Sequence, residues 1–291
     1  MIIPGPIYIE YPSRTDTARL WGIGDIHLGN RHACLERLRN DVAEIAVDPS
    51  SYWIGLGDYA DFIGYQDRRY DPEAISPDIT VADMGKLGSK LMEKVRDELA
   101  PIKAKCIGLI EGNHEVQYQV RMNQQGLHAW LCVELGARNL GYSAIFEIIW
   151  VRKAKTKRPW RIQFETPISL GGRSFWQVRV FAHHGTGFAA TTGGKLNKLI
   201  RFMNMWPDCD LVMMGHIHEA LSHPKSRPCL NRDGTQLIDR TQYGISCGGY
   251  LKTYGEGRAS YGEQRGYEPT TLSAAIVEFR PDKRWLRAVP Q

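Results

Sequence analysis

The chain has 291 residues, of which 43% are hydrophobic and 24% charged, and this globular composition excludes a disordered or collagen-like protein. A net charge of +5 at pH 7 favours anionic partners without identifying them. No apolar run is long enough to cross a membrane and no secretion signal begins the sequence, so we expect a cytoplasmic protein without a membrane partner.

Predicted strands and helices alternate along the first half of the chain. Apolar runs that end in Gly, Asp, Asn or His predict strands, and apolar residues that recur every three or four positions predict helices. The predicted elements are a strand at 18–27, a helix near 33–47, a strand at 51–58, a helix at 84–100, a strand at 106–115 and a helical stretch at 116–136. This alternation is typical of an α/β sandwich.

The second half begins with a change of period. Residues 144–170 alternate apolar and polar side chains, which predicts a hairpin insertion. The later predicted elements are a strand at 174–185, a helix near 194–206, and strands at 210–219, 235–249 and 272–288. We therefore expect a single domain over residues 1–291 with the hairpin inserted at 144–170.

Six of the nine histidines lie in short polar segments that follow predicted strands. The five segments that collect histidines and carboxylates are GDIH at 24–27, GDYAD at 57–61, GNHE at 112–115, HHG at 183–185 and GHIH at 215–218. Because the carboxyl ends of neighbouring strands meet at one edge of an open α/β sheet, we expect these segments to converge on one cleft. On an extended backbone, the spacings D-x-H and H-x-H put both side chains on the same side.

The convergent side chains favour transition-metal ions. Carboxylate and amide oxygens combined with imidazole nitrogens suit Mn, Fe, Zn or Ni better than Mg or Ca. A single tetrahedral site takes about three or four protein ligands, whereas at least seven candidates converge here, so we expect two ions. Two ions roughly 3.5–4 Å apart, bridged by a shared carboxylate, could clamp a phosphate and activate water, which predicts a hydrolase.

Each segment has an ordinary structural explanation when it stands alone. A lone GDxH is usually a turn with a capping Asp, and Asp61 alone is better interpreted as a loop or helix-capping residue than as a ligand. His32, His128 and His223 fit no constellation and are expected at the surface or packed in the core. The joint occurrence of all five segments, each after a β-rich apolar run, favours the metal site.

The five segments, in this order, resemble the five signature blocks of the calcineurin-like metallophosphoesterase superfamily. The resemblance covers roughly residues 19–220. It implies an α/β fold of four layers, a β-sandwich flanked by helices. It also implies a phosphoesterase that uses two divalent transition-metal ions, with Mn expected, and a metal-bridging hydroxide.

The resemblance further implies roles for individual residues. The implied ligands of the first ion are Asp25, His27 and His218. Asp58 would bridge the two ions. The implied ligands of the second ion are the side-chain oxygen of Asn113, a histidine of the fourth block and His216.

His114, which follows Asn113, resembles the family's phosphate-contacting histidine and is the expected catalytic residue. It would stabilise the transition state or protonate the leaving oxygen. The fourth block has two adjacent histidines, and extended neighbours point to opposite sides, so only one of them is an expected ligand. We favour His184, since the family often has its ligand directly before Gly, while variants with His-His-Pro keep His183 open as the alternative.

The predicted substrate is a phosphodiester of nucleic acid or nucleotides. The superfamily includes protein phosphatases, nucleotide phosphodiesterases, DNA nucleases and pyrophosphatases. A phosphomonoesterase or protein phosphatase is the first alternative, although the protein phosphatases have Asp-Arg-Gly after the second block and this chain has Tyr59-Ala60-Asp61 after Asp58. A non-catalytic protein-binding scaffold is the second alternative, which the complete ligand set disfavours.

Two basic regions could add contacts to a phosphate backbone. Residues 152–161 carry six positive charges and Trp160 between two predicted strands. They could grip nucleic acid with Trp160 stacked on a base, or form a solvated hairpin turn. On the predicted helix after the fourth block, Lys195, Lys198 and Arg201 either contact phosphate or form the polar face of an amphipathic helix.

Overall fold

The computed structural model describes residues 1–153, 160–165, 174–231 and 233–289. Its strands are β1 Ile7–Tyr11, β2 Ala18–Ile23, β3 Ser51–Gly55, β4 Cys106–Leu109, β5 Ser143–Arg152, β6 Arg161–Phe164, β7 Phe175–His183, β8 Leu211–Met214, β9 Leu221–Leu230, β10 Leu237–Ser246, β11 Ala275–Arg280 and β12 Trp285–Val289. Its α-helices are α1 Leu35–Val47, α2 Leu87–Leu99, α3 Asn113–Met122, α4 Leu127–Glu134, α5 Thr192–Met205 and α6 Tyr261–Gln264. Within these described ranges, no helix is long and apolar enough to cross a membrane.

The described strands form two mixed sheets. The seven-stranded sheet has the order β6-β1-β5-β7-β8-β10-β9, and the five-stranded sheet has the order β12-β11-β2-β3-β4. In the smaller sheet β2, β3 and β4 run parallel, and in the larger sheet β7, β8 and β10 run parallel. The carboxyl ends of each parallel set therefore lie at one edge of their sheet, where the following loops can meet.

Hydrophobic clusters fill the spaces between four layers. Side chains from both sheets, including Ile9, Ile54 and Phe146, pack between the sheets. Helices α1, α2 and α4 cover the outer face of the five-stranded sheet, and α5 covers the outer face of the larger sheet. The predicted fold, an α/β sandwich of four layers with helices outside two sheets, is confirmed.

The periodicity of the sequence explains how these layers pack. Leu38, Val42 and Ile45 recur at three- and four-residue steps along α1, so all three are buried on the face that covers the smaller sheet. Strand β2 is covered on both faces, because Leu20 faces the other sheet and Trp21 faces the helices. A strand buried on both sides needs apolar side chains throughout, which is why its sequence does not alternate.

The predicted hairpin at 144–170 is wrong. β5 and β6 do not pair with each other, because β1 lies between them, parallel to β5 and antiparallel to β6. Residues 7–11 were not predicted as a strand, although all five are buried. β5 and β6 are thus part of the larger sheet, and the expectation of a single domain over residues 1–291 stays a prediction.

The predicted helical stretch at 116–136 is two helices. Asn123, with φ 49°, ends α3, and Gly126, with φ 90°, precedes α4. Both residues have a left-handed backbone, through which an α-helix cannot continue. The first of the two helices, α3, begins at Asn113, directly after the loop that follows β4.

Candidate metal centre

Loops that follow strands of both sheets meet at one edge of the sandwich. The five-stranded sheet contributes Asp25, His27, Asp58 and Asn113. The seven-stranded sheet contributes His184, His216 and His218. The predicted convergence of the five segments is therefore seen in the structure, and the side chains that meet come from both halves of the sandwich.

The first donor group consists of Asp25, His27 and His218, whose candidate ligand atoms lie within 4.8 Å of one another. Nε2 of His27 lies 3.2 Å from Nε2 of His218, which in turn lies 3.5 Å from Oδ1 of Asp25. Two imidazole nitrogens and a carboxylate oxygen at these distances suit a divalent transition-metal ion.

The second donor group consists of Asp58, His184 and His216, whose ligand atoms also lie within 4.8 Å of one another. Nε2 of His184 lies 3.3 Å from Oδ2 of Asp58 and 3.0 Å from Oδ1 of Asn113. The same Oδ2 of Asp58 lies 3.9 Å from Nε2 of His27 in the first donor group. One carboxylate oxygen therefore faces both groups, as a bridging ligand must.

Each of the two aspartates has one oxygen tied to the backbone and one directed at the histidines. Oδ1 of Asp58 accepts a hydrogen bond from the backbone N–H of His114 at 2.9 Å, and Oδ2 of Asp25 accepts one from the N–H of His216 at 2.8 Å. Oδ1 of Asp25 is buried and has no hydrogen-bond partner among the described residues. An unpaired buried carboxylate oxygen is costly unless a cation balances it, so the donor set fits a metal ion.

Hydrogen bonds at Nδ1 orient two of the histidines. Nδ1 of His27 lies 3.1 Å from Oδ1 of Asp61, and Nδ1 of His184 lies 2.7 Å from the carbonyl oxygen of Leu56. When Nδ1 donates its hydrogen to these acceptors, the lone pair of Nε2 faces the cluster, as coordination requires. Asp61 is thus a positioning residue, a role that its interpretation as a loop or capping residue missed.

Five of the candidate ligands have a left-handed backbone. Among the described non-glycine residues nine have positive φ, and those in the centre are Asp25 (53°), His27 (49°), Asp58 (51°), His216 (70°) and His218 (47°). Such angles are uncommon outside glycine and cost free energy, and they concentrate at functional sites. The expected extended backbone at D-x-H and H-x-H is therefore wrong, although the paired side chains do converge.

Glycines in the second and third segments allow two loops to touch. A Cβ on Gly112 would lie 2.1 Å from the backbone nitrogen of Asp58, and one on Gly57 would lie 2.6 Å from Cα of Gly112. Beside this contact, the buried carboxylate of Glu115 accepts hydrogen bonds from the backbone N–H groups of Asp58, Tyr59 and Gly112. The glycine and glutamate of GNHE therefore hold the loop that presents Asp58.

His114 and an unpredicted arginine lie beside the donor groups. Nδ1 of His114 donates to the carbonyl oxygen of Asp61, and Nε2 lies 4.0 Å from Oδ2 of Asp58. Nη1 of Arg69 lies 3.5 Å from Nε2 of His114, while Nη2 of Arg69 pairs with the buried Asp67 at 2.9 Å. Arg69 comes from an irregular loop between β3 and α2, where no hydrophobic period marks a residue as part of a site.

A family model described as calcineurin-like phosphoesterase matches residues 18–220. The chain belongs to this family. The resemblance of the five segments is thereby confirmed, and the centre described above lies within the matched residues. Among curated proteins, no sequence matches the chain.

Several solved structures have a similar chain path at low sequence identity. A predicted phosphoesterase from Streptococcus pneumoniae is 10% identical over 91% of this chain and 84% of its own, with a TM-score of 0.31. Zinc-bound Vps29 from Entamoeba histolytica is 11% identical over 90% and 86%, with a TM-score of 0.37. GAP50, the anchor in the inner membrane complex of Plasmodium, is 10% identical over 90% and 81%, with a TM-score of 0.42. The family assignment depends on the family match and not on these likenesses.

The candidate ligands of this calcineurin-like phosphoesterase are buried groups of opposite charge. Burial favours the protonated form of Asp25, but His218 outweighs it and lowers the pKa of Asp25 to about 2. Burial acts on Asp58 in the same way, yet His184 keeps the pKa of this carboxyl well below its usual value. Conversely, burial would lower the pKa of His184, but Asp58 raises it to about 9. Ionised carboxylates are ready to bind an ion, which would displace the proton of His184.

The structure brings His184 to the cluster and leaves His183 outside it. The His183 ring packs 4.5 Å, centroid to centroid, from Phe202, and its Nδ1 accepts a hydrogen bond from the N–H of Gly185. Burial lowers the pKa of His183 to about 4, so the packed ring is neutral at pH 7. The alternative of His183 as the fourth-block ligand does not fit this geometry.

The other histidines singled out in the sequence belong to no donor group among the described residues. His128 is buried, with its ring stacked 6.3 Å from Tyr59, and His32 is also buried. His223 lies on β9. Lys195 forms an ion pair of 2.8 Å with Glu219 and lies at the cleft beside the centre.

The described part of the basic region 152–161 packs on the protein. Arg152 and Lys153 form ion pairs of 2.6 and 2.8 Å, and the Trp160 ring lies 6.2 Å from that of Tyr11. Three of the basic residues of this region lie outside the described ranges, namely Lys155, Lys157 and Arg158. The predicted stacking of a base on Trp160 does not fit this packing, and a grip of the remaining cations on nucleic acid stays a prediction.

Exchanging the two fourth-block histidines for alanine should give opposite results. We expect His184→Ala to bind about one Mn²⁺ ion fewer per chain, because it removes a donor at the second group. His183→Ala should keep the ions and lower thermal stability, since it removes an aromatic packing contact. Elemental analysis and thermal denaturation measure these effects. Loss of metal from His183→Ala but not from His184→Ala would contradict the assignment.

Proposed function

We propose that this protein is a phosphoesterase that uses two divalent transition-metal ions, with Mn the expected ion, to hydrolyse phosphodiesters of nucleic acid or nucleotides. The observation that carries the proposal is the position of Asp58, whose Oδ2 lies 3.3 Å from Nε2 of His184 and 3.9 Å from Nε2 of His27. A carboxylate that faces two donor groups suits a pair of ions that share one ligand.

Two sets of residues would hold the ions. The first set is Asp25, His27, His218 and Asp58. The second set is Asp58, Asn113, His184 and His216. When bound, the ions supply positive charge against the phosphate oxygens and lower the pKa of a water molecule toward neutrality.

His114 and Arg69 would act on the substrate directly. Because Nδ1 of His114 donates to the carbonyl oxygen of Asp61, Nε2 is the nitrogen that faces the cleft. In the imidazolium form, with a hydrogen on both nitrogens, His114 can give the Nε2 proton to the leaving oxygen and become neutral. Arg69 lies at the same cleft with its guanidinium fixed by Asp67, so it can bind a phosphate oxygen without being reoriented. Positive groups placed where charge develops lower the barrier to phosphoryl transfer.

A diester is favoured over a monoester because the cleft extends beyond the donor groups. Its volume is about 460 Å³, and it is lined by residues of both donor groups together with side chains from the segments after β7 and β10. A second group esterified to the phosphate therefore has a surface to occupy. The nucleic-acid partner and the cytoplasmic location stay predictions from the sequence.

Two chromogenic substrates test this function. With Mn²⁺ present, we expect a higher kcat/KM for bis-p-nitrophenyl phosphate than for p-nitrophenyl phosphate, and no turnover after chelation until Mn²⁺ is returned. Faster hydrolysis of the monoester would favour the phosphomonoesterase alternative. No hydrolysis of either compound with Mn, Fe, Zn or Ni would favour the protein-binding scaffold. Single- and double-stranded DNA and RNA then identify the natural class of diester.

A further inference from the structure

The cleft beside the donor groups is larger than a phosphate group requires. Pockets of roughly 300–1,000 Å³ hold organic molecules of drug size, and this cleft has a volume of about 460 Å³. His27 and Asp58 line it at the donor groups, and Phe188 and Tyr267 line it elsewhere. The space therefore suits a phosphoester that carries an organic group.

Three aromatic rings, which we term the aromatic row, lie along this cleft. The ring centroid of Phe188 is 5.1 Å from that of Tyr267, which is 6.2 Å from that of Tyr261. Phe188 is 65% exposed and Tyr261 is 54% exposed. Exposed apolar surface that is gathered in one place marks an interaction site, whereas single exposed residues do not.

Two chain segments position the aromatic row, and one of them also builds the centre. Phe188 lies four residues after His184, so the same loop presents a candidate ligand and the most open ring. Tyr267 lies between α6 and β11, and its carbonyl oxygen accepts a hydrogen bond from the hydroxyl of Tyr254 at 3.0 Å. The guanidinium of Arg265 lies 5.0 Å from the centroid of the Tyr261 ring. The backbone of Tyr267 and the ring of Tyr261 therefore have defined neighbours within their own segment.

We propose that the aromatic row binds an unpaired nucleobase of the substrate whose phosphate lies at the donor groups, an inference that rests on the proposed function. An aromatic side chain with an open face stacks on any nucleobase, because every base has a flat π face. A base within a duplex is already stacked on its neighbours and is not available to such a surface. The substrate class is therefore a nucleotide ester or single-stranded nucleic acid.

Two diesters with the same leaving group test this site. The p-nitrophenyl ester of thymidine 5′-phosphate carries a base, whereas methyl p-nitrophenyl phosphate does not. With Mn²⁺ present, Phe188→Ala should lower kcat/KM for the thymidine ester by about 5- to 150-fold and change that for the methyl ester by less than about twofold. Phe188→Trp, which keeps a stacking face, should retain turnover of both. Phe175→Ala, which removes an exposed phenylalanine outside the cleft, should change neither.

The outcomes separate this inference from the proposed function. Similar effects of Phe188→Ala on both esters, including no effect on either, would overturn the base site and leave the phosphoesterase in place. Hydrolysis of neither ester by the wild-type protein would overturn both. A single-stranded oligothymidylate distinguishes the two sources of base. If Phe188→Ala lowers kcat/KM for the oligonucleotide as much as for the thymidine ester, single-stranded nucleic acid is supported as the substrate. If it lowers kcat/KM for the thymidine ester alone, a nucleotide ester is supported.

Discussion

Asp58→Asn should lower bound Mn²⁺ from about two ions per chain to below one and reduce kcat/KM for bis-p-nitrophenyl phosphate by at least about 10³-fold. The substitution removes the negative charge and keeps the local hydrogen bond, because the amide oxygen of Asn can still accept from the N–H of His114 as Oδ1 of Asp58 does. What changes is Oδ2, which becomes an uncharged NH₂ group facing His27 and His184. Both donor groups lose their shared charge at once.

Asp41→Asn provides a matched control. Asp41 is a buried aspartate that accepts a hydrogen bond from the hydroxyl of Tyr250 at 2.9 Å, and it belongs to neither donor group. This variant should keep two ions and full turnover. If Asp58→Asn retained two ions and wild-type activity by elemental analysis and kinetics, the bridging role would be excluded.

His114→Ala should keep the bound ions while lowering kcat by about 10²–10⁴-fold, the usual contribution of a positioned general acid. His114 lines the cleft with Nε2 near Asp58, but it is not one of the seven proposed ligands. Its removal therefore leaves the proposed ligand set complete. Parallel measurement of metal content and kcat separates a chemical role from a coordinating one.

The same experiment distinguishes a competing arrangement. Ligand atoms of His114, His27 and Asp58 also lie within 4.8 Å of one another, so His114 has the position to be a ligand itself. His216→Ala is the comparison, since His216 is a proposed ligand of the second donor group. A loss of metal from His114→Ala as large as that from His216→Ala would assign His114 to coordination and not to proton transfer.

The sequence predicted the parts of the centre that short motifs encode. Strand-end segments rich in Asp and His located the donor residues, because parallel strands necessarily present their carboxyl ends together. The conformation of those segments was not predicted, although Asp and His are among the residues that adopt a left-handed backbone more often than others. Asp25 and His218 have that backbone, and a model of alternating extended side chains could not show it.

The orientation of side chains in irregular loops could not be predicted from the sequence. Asp61, Arg69 and Phe188 come from loops without hydrophobic period, so nothing in their neighbourhood fixes which way they face. Strand β1 was missed for a different reason. It is a short buried strand that lies between β6 and β5, with partners that are more than 130 residues away in the sequence. Such long-range pairing leaves no local signal, and the hairpin prediction at 144–170 failed with it.

The division of the donor residues between the two sheets would make each of the proposed ions a cross-link between the sheets. Asp25 and His27 follow a strand of the smaller sheet, but their group is completed by His218 from the larger one. Asp58 likewise depends on His184 from the opposite sheet. Binding of the proposed ions would therefore add its free energy to the association of the sheets, and a chelator would remove that added stability. An occupied centre would join the two halves of the sandwich as a covalent bridge does, but reversibly.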